Sequence, residues 1–188
     1  MKICIFPGSF NPVHKAHLKM AEFALENLGF DKVIFIPAYI PPHKNIEKNL
    51  ARHRLNMVKL AVSYNPNFEV SDVEYMSEGA SYSLITVKKI REKYNISGRL
   101  DFLIGTDAFE KLNTWYKVDE LKELVHFIVF PRTDKPVDFG YYSQNGYDFE
   151  VTDMTFYDIS STSQREHLTD NTPEKVKEYI IQNGLYNN

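Results

Sequence analysis

The chain has 188 residues, a formal net charge of −3 and 43% apolar residues, 14% of the chain being aromatic. That length suits one α/β domain with a sizeable core, and the apolar content excludes a disordered chain. A near-neutral balance argues against wholesale coating of nucleic acid or membrane, and the single cysteine, Cys4, excludes an internal disulfide and a multi-cysteine metal site.

The run Lys2–Phe6 is predicted as a buried first strand, with Cys4 as a small core residue. Pro7-Gly8-Ser9 cuts this apolar stretch too short for a secretory signal, and no run nears the roughly 18 apolar residues of a spanning helix. Both readings predict a cytoplasmic protein. Asn11 is expected to cap a helix with Pro12 at its first position, running through Val13, Ala16, Met20, Phe23, Ala24 and Leu28 to a stop at Gly29. Lys32–Ile36 reads as a second buried strand, followed by the proline-rich loop Pro37–Lys44. A helix follows over Leu50–Tyr64, then a strand over Phe68–Tyr75 and a helix over Ser81–Tyr94.

Leu100–Ile104 has the pattern of a central strand and ends at Gly105-Thr106-Asp107. Val118–Leu124 reads as helix, His126–Phe130 as strand, Thr133–Asp148 as a polar loop and Phe149–Met154 as a last short strand. Helices are predicted near Ser161–Leu168 and Pro173–Asn183. Repeated βα units imply an α/β fold: a Rossmann-like parallel sheet with helices on both faces, in a single domain. Ligands of such sheets sit beyond the carboxyl ends of the strands at the topological switch point, which selects the loops after the first, second and Leu100–Ile104 strands.

The first of these loops is Gly8-Ser9-Phe10-Asn11-Pro12-Val13-His14-Lys15-Ala16-His17, which is neither the dinucleotide fingerprint nor a phosphate loop ending in Gly-Lys-Ser/Thr. Gly8 and Ser9 can bring backbone N–H groups to an anion at the positive end of the following helix. His14 and His17, three residues apart, project from one face and suit phosphate. Two ordinary surface histidines are the plain alternative; zinc is a third reading, without a cysteine or carboxylate partner nearby. Ser160, Ser161 and Thr162 open a second helix with hydroxyls and N–H groups, and Arg165 shares their face. Alone this is a capped helix with a solvated arginine; together the two segments read as one site.

Gly8-Ser9-Phe10-x-Pro12-x-His14-x-x-His17 with Ile159-Ser160-Ser161-Thr162-x-x-Arg165 resembles the nucleotidyltransferase superfamily that transfers AMP or CMP from a nucleoside triphosphate. Ile40-Pro41-Pro42-His43-Lys44, Ser81-Tyr82-Ser83-x-x-Thr86 and Gly105-Thr106-Asp107 with Trp115-Tyr116 narrow the resemblance to bacterial nicotinate-nucleotide adenylyltransferases. It runs from Lys2 to Asn183-Gly184-Leu185-Tyr186 and implies one nucleotidyltransferase domain over residues 1–188. Pro7, Asn11 and Ala16 stand where the family usually has Gly, Asp and Gly, and Ser83 stands for its Thr. The family's arginine before the Ser-Tyr segment is absent from Met76–Ala80.

The resemblance implies that nicotinate mononucleotide attacks the α-phosphorus of ATP, giving deamido-NAD and pyrophosphate. His14 and His17 would hold the triphosphate, with Gly8, Ser9 and Phe10 lining the ATP site. Arg165, with Ser160, Ser161 and Thr162, would bind the β- and γ-phosphates. Gly105 and Asp107 would take the adenosine ribose, though Asp107 alone reads equally well as a helix cap. Trp115 would stack on the nicotinate ring, while backbone N–H groups at Ser83 and Tyr116 receive its carboxylate, with Thr86 in the same segment. His43 and Lys44 are candidates for the mononucleotide phosphate, and Mg²⁺ would be held mainly by phosphates and water. The implied partners are ATP and nicotinate mononucleotide, with no nucleic acid or membrane; a homo-oligomer is left open. The rivals are another adenylyltransferase of the superfamily, such as that acting on phosphopantetheine, and a nucleotide-binding regulator that has lost turnover.

Overall fold

A computed structural model describes residues 1–77, 79–155 and 157–187. Six parallel strands, β1 (Ile3–Gly8), β2 (Lys32–Pro37), β3 (Phe68–Val70), β4 (Leu100–Gly105), β5 (Val125–Phe130) and β6 (Phe149–Val151), form one sheet in the order β3-β2-β1-β4-β5-β6. The helices are α1 (Lys15–Asn27), α2 (Leu50–Val62), α3 (Ser83–Lys93), α4 (Thr106–Phe109), α5 (Val118–Leu124), α6 (Phe139–Gln144), α7 (Ser161–Glu166) and α8 (Glu174–Gln182). The central strands are mostly apolar because both sheet faces are covered, with Asp101 of β4 and His126 of β5 only part-buried. In β2, Val33 and Phe35 face a core built with α1, α2 and α8, while Ile34 and Ile36 face one built with α3 and α5. Among the described residues no helix is long and apolar enough to cross a membrane.

The strand order reverses between β1 and β4. Their pairing covers Cys4↔Asp101 and Ile5↔Phe102 and stops three residues short of Gly8 and of Gly105. A crevice opens between the two strand ends, at the place where parallel sheets bind ligands.

Three expected elements differ. α1 starts at Lys15 with His14 as its cap, and the Asn11–Pro12 peptide is cis. Asn11 thus lies three residues before the cap, and its Oδ1 accepts from the Tyr186 hydroxyl at 2.6 Å. The strand expected over Phe68–Tyr75 ends at Val70, and Val73–Met76 forms a 3-10 turn. The segment expected as a loop holds α6, capped by Asp138, whose carboxylate accepts from the Tyr141 N–H at 3.1 Å. Its glycine-containing sequence has little helical preference of its own. Packing of Tyr142 on Phe109, 4.4 Å between ring centroids, holds it.

Candidate active site

The β1–α1 loop lines one side of the crevice. Phe10 adopts a left-handed conformation (φ 45°) and turns its buried ring edge-on to Phe6 and His17. That turn brings His14 and His17 together: the rings stack with centroids 3.7 Å apart, and the His14 N–H donates to Nδ1 of His17 at 3.1 Å. Burial, with Arg132 nearby, pushes the His14 pKa down to about 3. Burial, then His14, Arg132 and Lys44, hold His17 well below the ordinary range. Both imidazoles are therefore neutral at pH 7.

α7 closes the other side. Ser160 caps it by accepting from the Ser163 N–H at 3.1 Å. The Ser161 hydroxyl donates to the Pro12 carbonyl at 2.9 Å, and Arg165 donates from Nη1 to the Asn11 carbonyl at 2.7 Å and from Nη2 to Thr162 Oγ1 at 3.1 Å. The two segments that the sequence separates by some 150 residues are thus bonded to each other. Gly105, at the end of β4, caps α4, so Asp107 lies inside that helix rather than at its cap, with its carboxylate exposed.

These residues surround a cavity of about 500 Å³ lined by Gly8, Ser9, Phe10, His14, His17, Gly105, Asp107, Ser160, Ser161, Thr162 and Arg165. Lys44 lines it too, donating to Ser9 Oγ at 2.7 Å, and so stands with the residues expected to serve ATP as well as on the loop expected to serve the mononucleotide. Burial lowers the Lys44 pKa, with Asp107 opposing. Arg132, from the segment after β5, supplies a further cation. Three basic side chains, Lys44, Arg132 and Arg165, face a single carboxylate, Asp107, among the lining residues described, so the cavity favours a polyanion.

The other expected residues do not line this cavity. The Ser81 N–H donates to the Ile40 carbonyl at 2.8 Å, and the Tyr39 N–H donates to Ser81 Oγ at 2.9 Å, which joins the Pro37–Lys44 loop to the start of α3. Tyr116 stacks on Tyr82 at 4.5 Å, bringing Trp115-Tyr116 to the same helix end. Trp115 is half-buried beside Phe102. Ser83 begins α3, where its N–H has no acceptor within the helix, while the Ile85 N–H donates to the Tyr82 carbonyl at 3.0 Å. Thr86 is only 3% exposed, and its hydroxyl donates to Glu74 at 2.7 Å, so it braces the segment from behind. His43 is exposed on its loop.

Two further residues escape a reading of motifs. Arg132 follows β5 directly, and applying the switch-point rule to that strand as well finds it. Arg54 is fully buried and donates to the carbonyls of Ser9 (2.8 Å), Ala38 (2.6 Å) and Tyr39 (2.9 Å), tying the β1 loop to the β2 loop. Its signal is a charge between Ala51 and Val58 on the apolar stripe of α2.

Residues 5–167 match the cytidylyltransferase-like family. The chain is 39% identical to nicotinate-nucleotide adenylyltransferase of Bacillus subtilis, over 98% of each chain. It is 35% identical to a probable nicotinate-nucleotide adenylyltransferase of Caldicellulosiruptor saccharolyticus, over 99% of each. The chain belongs to the nicotinate-nucleotide adenylyltransferase family. The Plasmodium falciparum nicotinic acid mononucleotide adenylyltransferase, solved in complex with NaAD, shares the fold of this family member, with a TM-score of 0.80 over 98% of this chain and 97% of that one at 20% identity. In this adenylyltransferase-family chain the paired histidines, the bonded β1–α1 loop and α7, and the cations Lys44, Arg132 and Arg165 share one crevice.

Proposed function

We propose that this chain transfers AMP from ATP to nicotinate mononucleotide, releasing pyrophosphate and forming deamido-NAD, in the biosynthesis of NAD. The observation that carries the reading is the convergence of His14, His17, Lys44, Arg132 and Arg165 on one cavity at the β1/β4 switch point. Family membership supplies the substrates. The attacking oxygen belongs to the mononucleotide phosphate, already ionised at pH 7, so no side chain need remove a proton. The new O–P bond forms at the α-phosphorus as the bond to the β-phosphate oxygen breaks, and pyrophosphate takes that electron pair. Catalysis then consists of aligning the two phosphates and stabilising the charge that moves onto the leaving group.

His14 and His17 act as neutral donors to the triphosphate, His17 nearest the α-phosphate. Arg165 and the α7 N-terminus hold the β- and γ-phosphates, and Asp107 takes the ribose hydroxyls. Lys44, reaching Ser9 from the β2 loop, is placed to bridge the attacking phosphate and the ATP site. Trp115 and the backbone at Ser83 and Tyr116 read the nicotinate ring and its carboxylate. No cluster of His, Cys, Asp or Glu suited to caging a metal occurs among the described residues, and the cavity offers one carboxylate. That donor set fits a magnesium ion brought in with ATP, which would neutralise phosphate charge, with Asp107 the one lining carboxylate that could approach it. The reading places the protein in the cytoplasm, where its substrates are. Pyrophosphate release from ATP with nicotinate mononucleotide tests the proposal: release with phosphopantetheine instead moves the chain to another branch, and nucleotide binding without release makes it a regulator.

A further inference from the structure

The last described turn of the chain returns to the crevice. Past α8, Gly184 (φ 60°) and Tyr186 (φ 61°) both adopt left-handed conformations, and Leu185 between them is buried in the α1/α2/α8 core. A left-handed tyrosine is costly without surroundings that enforce it. Here the ring packs against that core and the hydroxyl donates to Asn11 Oδ1 at 2.6 Å. Burial pushes the Tyr186 pKa up to about 12, which keeps the hydroxyl protonated and donating. Asn11 is 8% exposed, lines the cavity, and presents its backbone carbonyl to Arg165.

We propose that Tyr186 is a positioning residue for AMP transfer: by holding the Asn11 side chain, it fixes the carbonyl on which Arg165 is seated and so sets the distance between the β1–α1 loop and α7. Tyr186 touches no substrate. Its influence runs through one hydrogen bond to a residue that itself bonds the leaving-group arginine. The inference rests on the adenylyltransferase reading, because only that reading gives Arg165 a reaction step to serve.

The test is a double-mutant cycle on Tyr186→Phe and Asn11→Ala, measured as kcat and as KM for each substrate, well below each variant's melting midpoint. Tyr186→Phe deletes one hydroxyl and keeps the packed ring, so the fold should survive. Its kcat is expected to fall about tenfold, as one lost hydrogen bond at an aligned site can cause, with the mononucleotide KM within about twofold of wild type. The double variant should be no slower than the slower single variant, since both changes break the same bond. A merely structural tyrosine would lower the melting midpoint and leave kcat alone, and that result overturns the assignment. So do losses that multiply in the double variant. Wild type that forms no deamido-NAD overturns the functional reading and this inference with it, whereas active wild type with an unchanged Tyr186→Phe variant overturns this inference alone.

Discussion

The His14 N–H donates to Nδ1 of His17 at 3.1 Å while the two rings stack at 3.7 Å. This one bond sets the chemistry of His17. With Nδ1 accepting and the ring held neutral by burial, its proton sits on Nε2. In the proposed reaction His17 would therefore meet the α-phosphate as an oriented neutral donor. Replacing it by Ala should leave the fold intact, because α1 stays anchored by its apolar face. Turnover should fall on the order of 10²–10³-fold, as for loss of one preorganised donor. Steady-state kinetics on the folded variant checks this, and near wild-type activity would remove His17 from the phosphate site.

His14 gives a pH dependence of known sign. Its folded pKa of about 3 lies below the ordinary value of 6.5, so the unfolded chain binds this proton more readily. The associated stability is complete above pH 6.5 and is lost as pH falls toward 3. Urea midpoints measured from pH 7 to pH 4 should drop, and the drop should be shallower in His14→Asn. Parallel curves for the two proteins would show that His14 is not held neutral.

Arg165 divides its guanidinium between the Asn11 carbonyl and Thr162, an arrangement that needs the planar fork. Arg165→Lys keeps the charge and cannot reproduce both bonds. Its kcat should fall well below wild type despite the conserved charge, with Arg165→Ala lower still. Equal rates for Lys and Arg would reduce the residue to generic charge.

Gly105 stands where a side chain has no room. An added Cβ would come within 2.5 Å of Arg132 Cγ and 2.6 Å of Asp107 Oδ1. Gly105→Ala should push both groups from the ATP side, raising the ATP KM about tenfold while the mononucleotide KM stays near wild type. Isothermal titration with ATP and with the mononucleotide separates the two effects, and unchanged ATP affinity would exclude Asp107 and Arg132 from that site.

What the sequence made legible follows from the range of each signal. The apolar runs of β1, β2, β4 and β5 and the two terminal motifs are local patterns, and each stands where its pattern placed it. The start of α1 lies three residues beyond the Asn-Pro signal, and the Asn11 side chain is engaged instead by Tyr186, 175 residues away, a partner no local pattern contains. α6 was missed because its stability comes from Phe109 rather than from its own residues. Within the site, residues on motif loops could be named in advance. Arg54 and Glu74 could not, since their roles depend on which carbonyls and hydroxyls the fold brings to them.

Substrate choice gives the sharpest test. Nicotinate and nicotinamide mononucleotide differ by a carboxylate in place of a carboxamide of similar size. At the start of α3 the Ser83 N–H has no acceptor within the helix, and the Tyr82–Tyr116 stack holds Trp115-Tyr116 beside it. Backbone donors aimed at this substituent favour an acceptor-only carboxylate, since an amide must turn an NH₂ toward one of them. An unmatched buried donor costs about 1–3 kcal/mol and a charged acceptor adds strength, so the acid should be preferred roughly 10²-fold or more in kcat/KM. In the proposed site Trp115 would read the ring and not its substituent, through an indole face over a pyridinium worth about 0.5–2 kcal/mol. Trp115→Ala should therefore weaken both mononucleotides and leave the preference for the acid in place. Measuring kcat/KM for both substrates with both proteins decides the matter: wild type that used the amide as well as the acid would overturn the carboxylate pocket, and a preference that vanished with Trp115 would move the discrimination from the backbone donors to the indole.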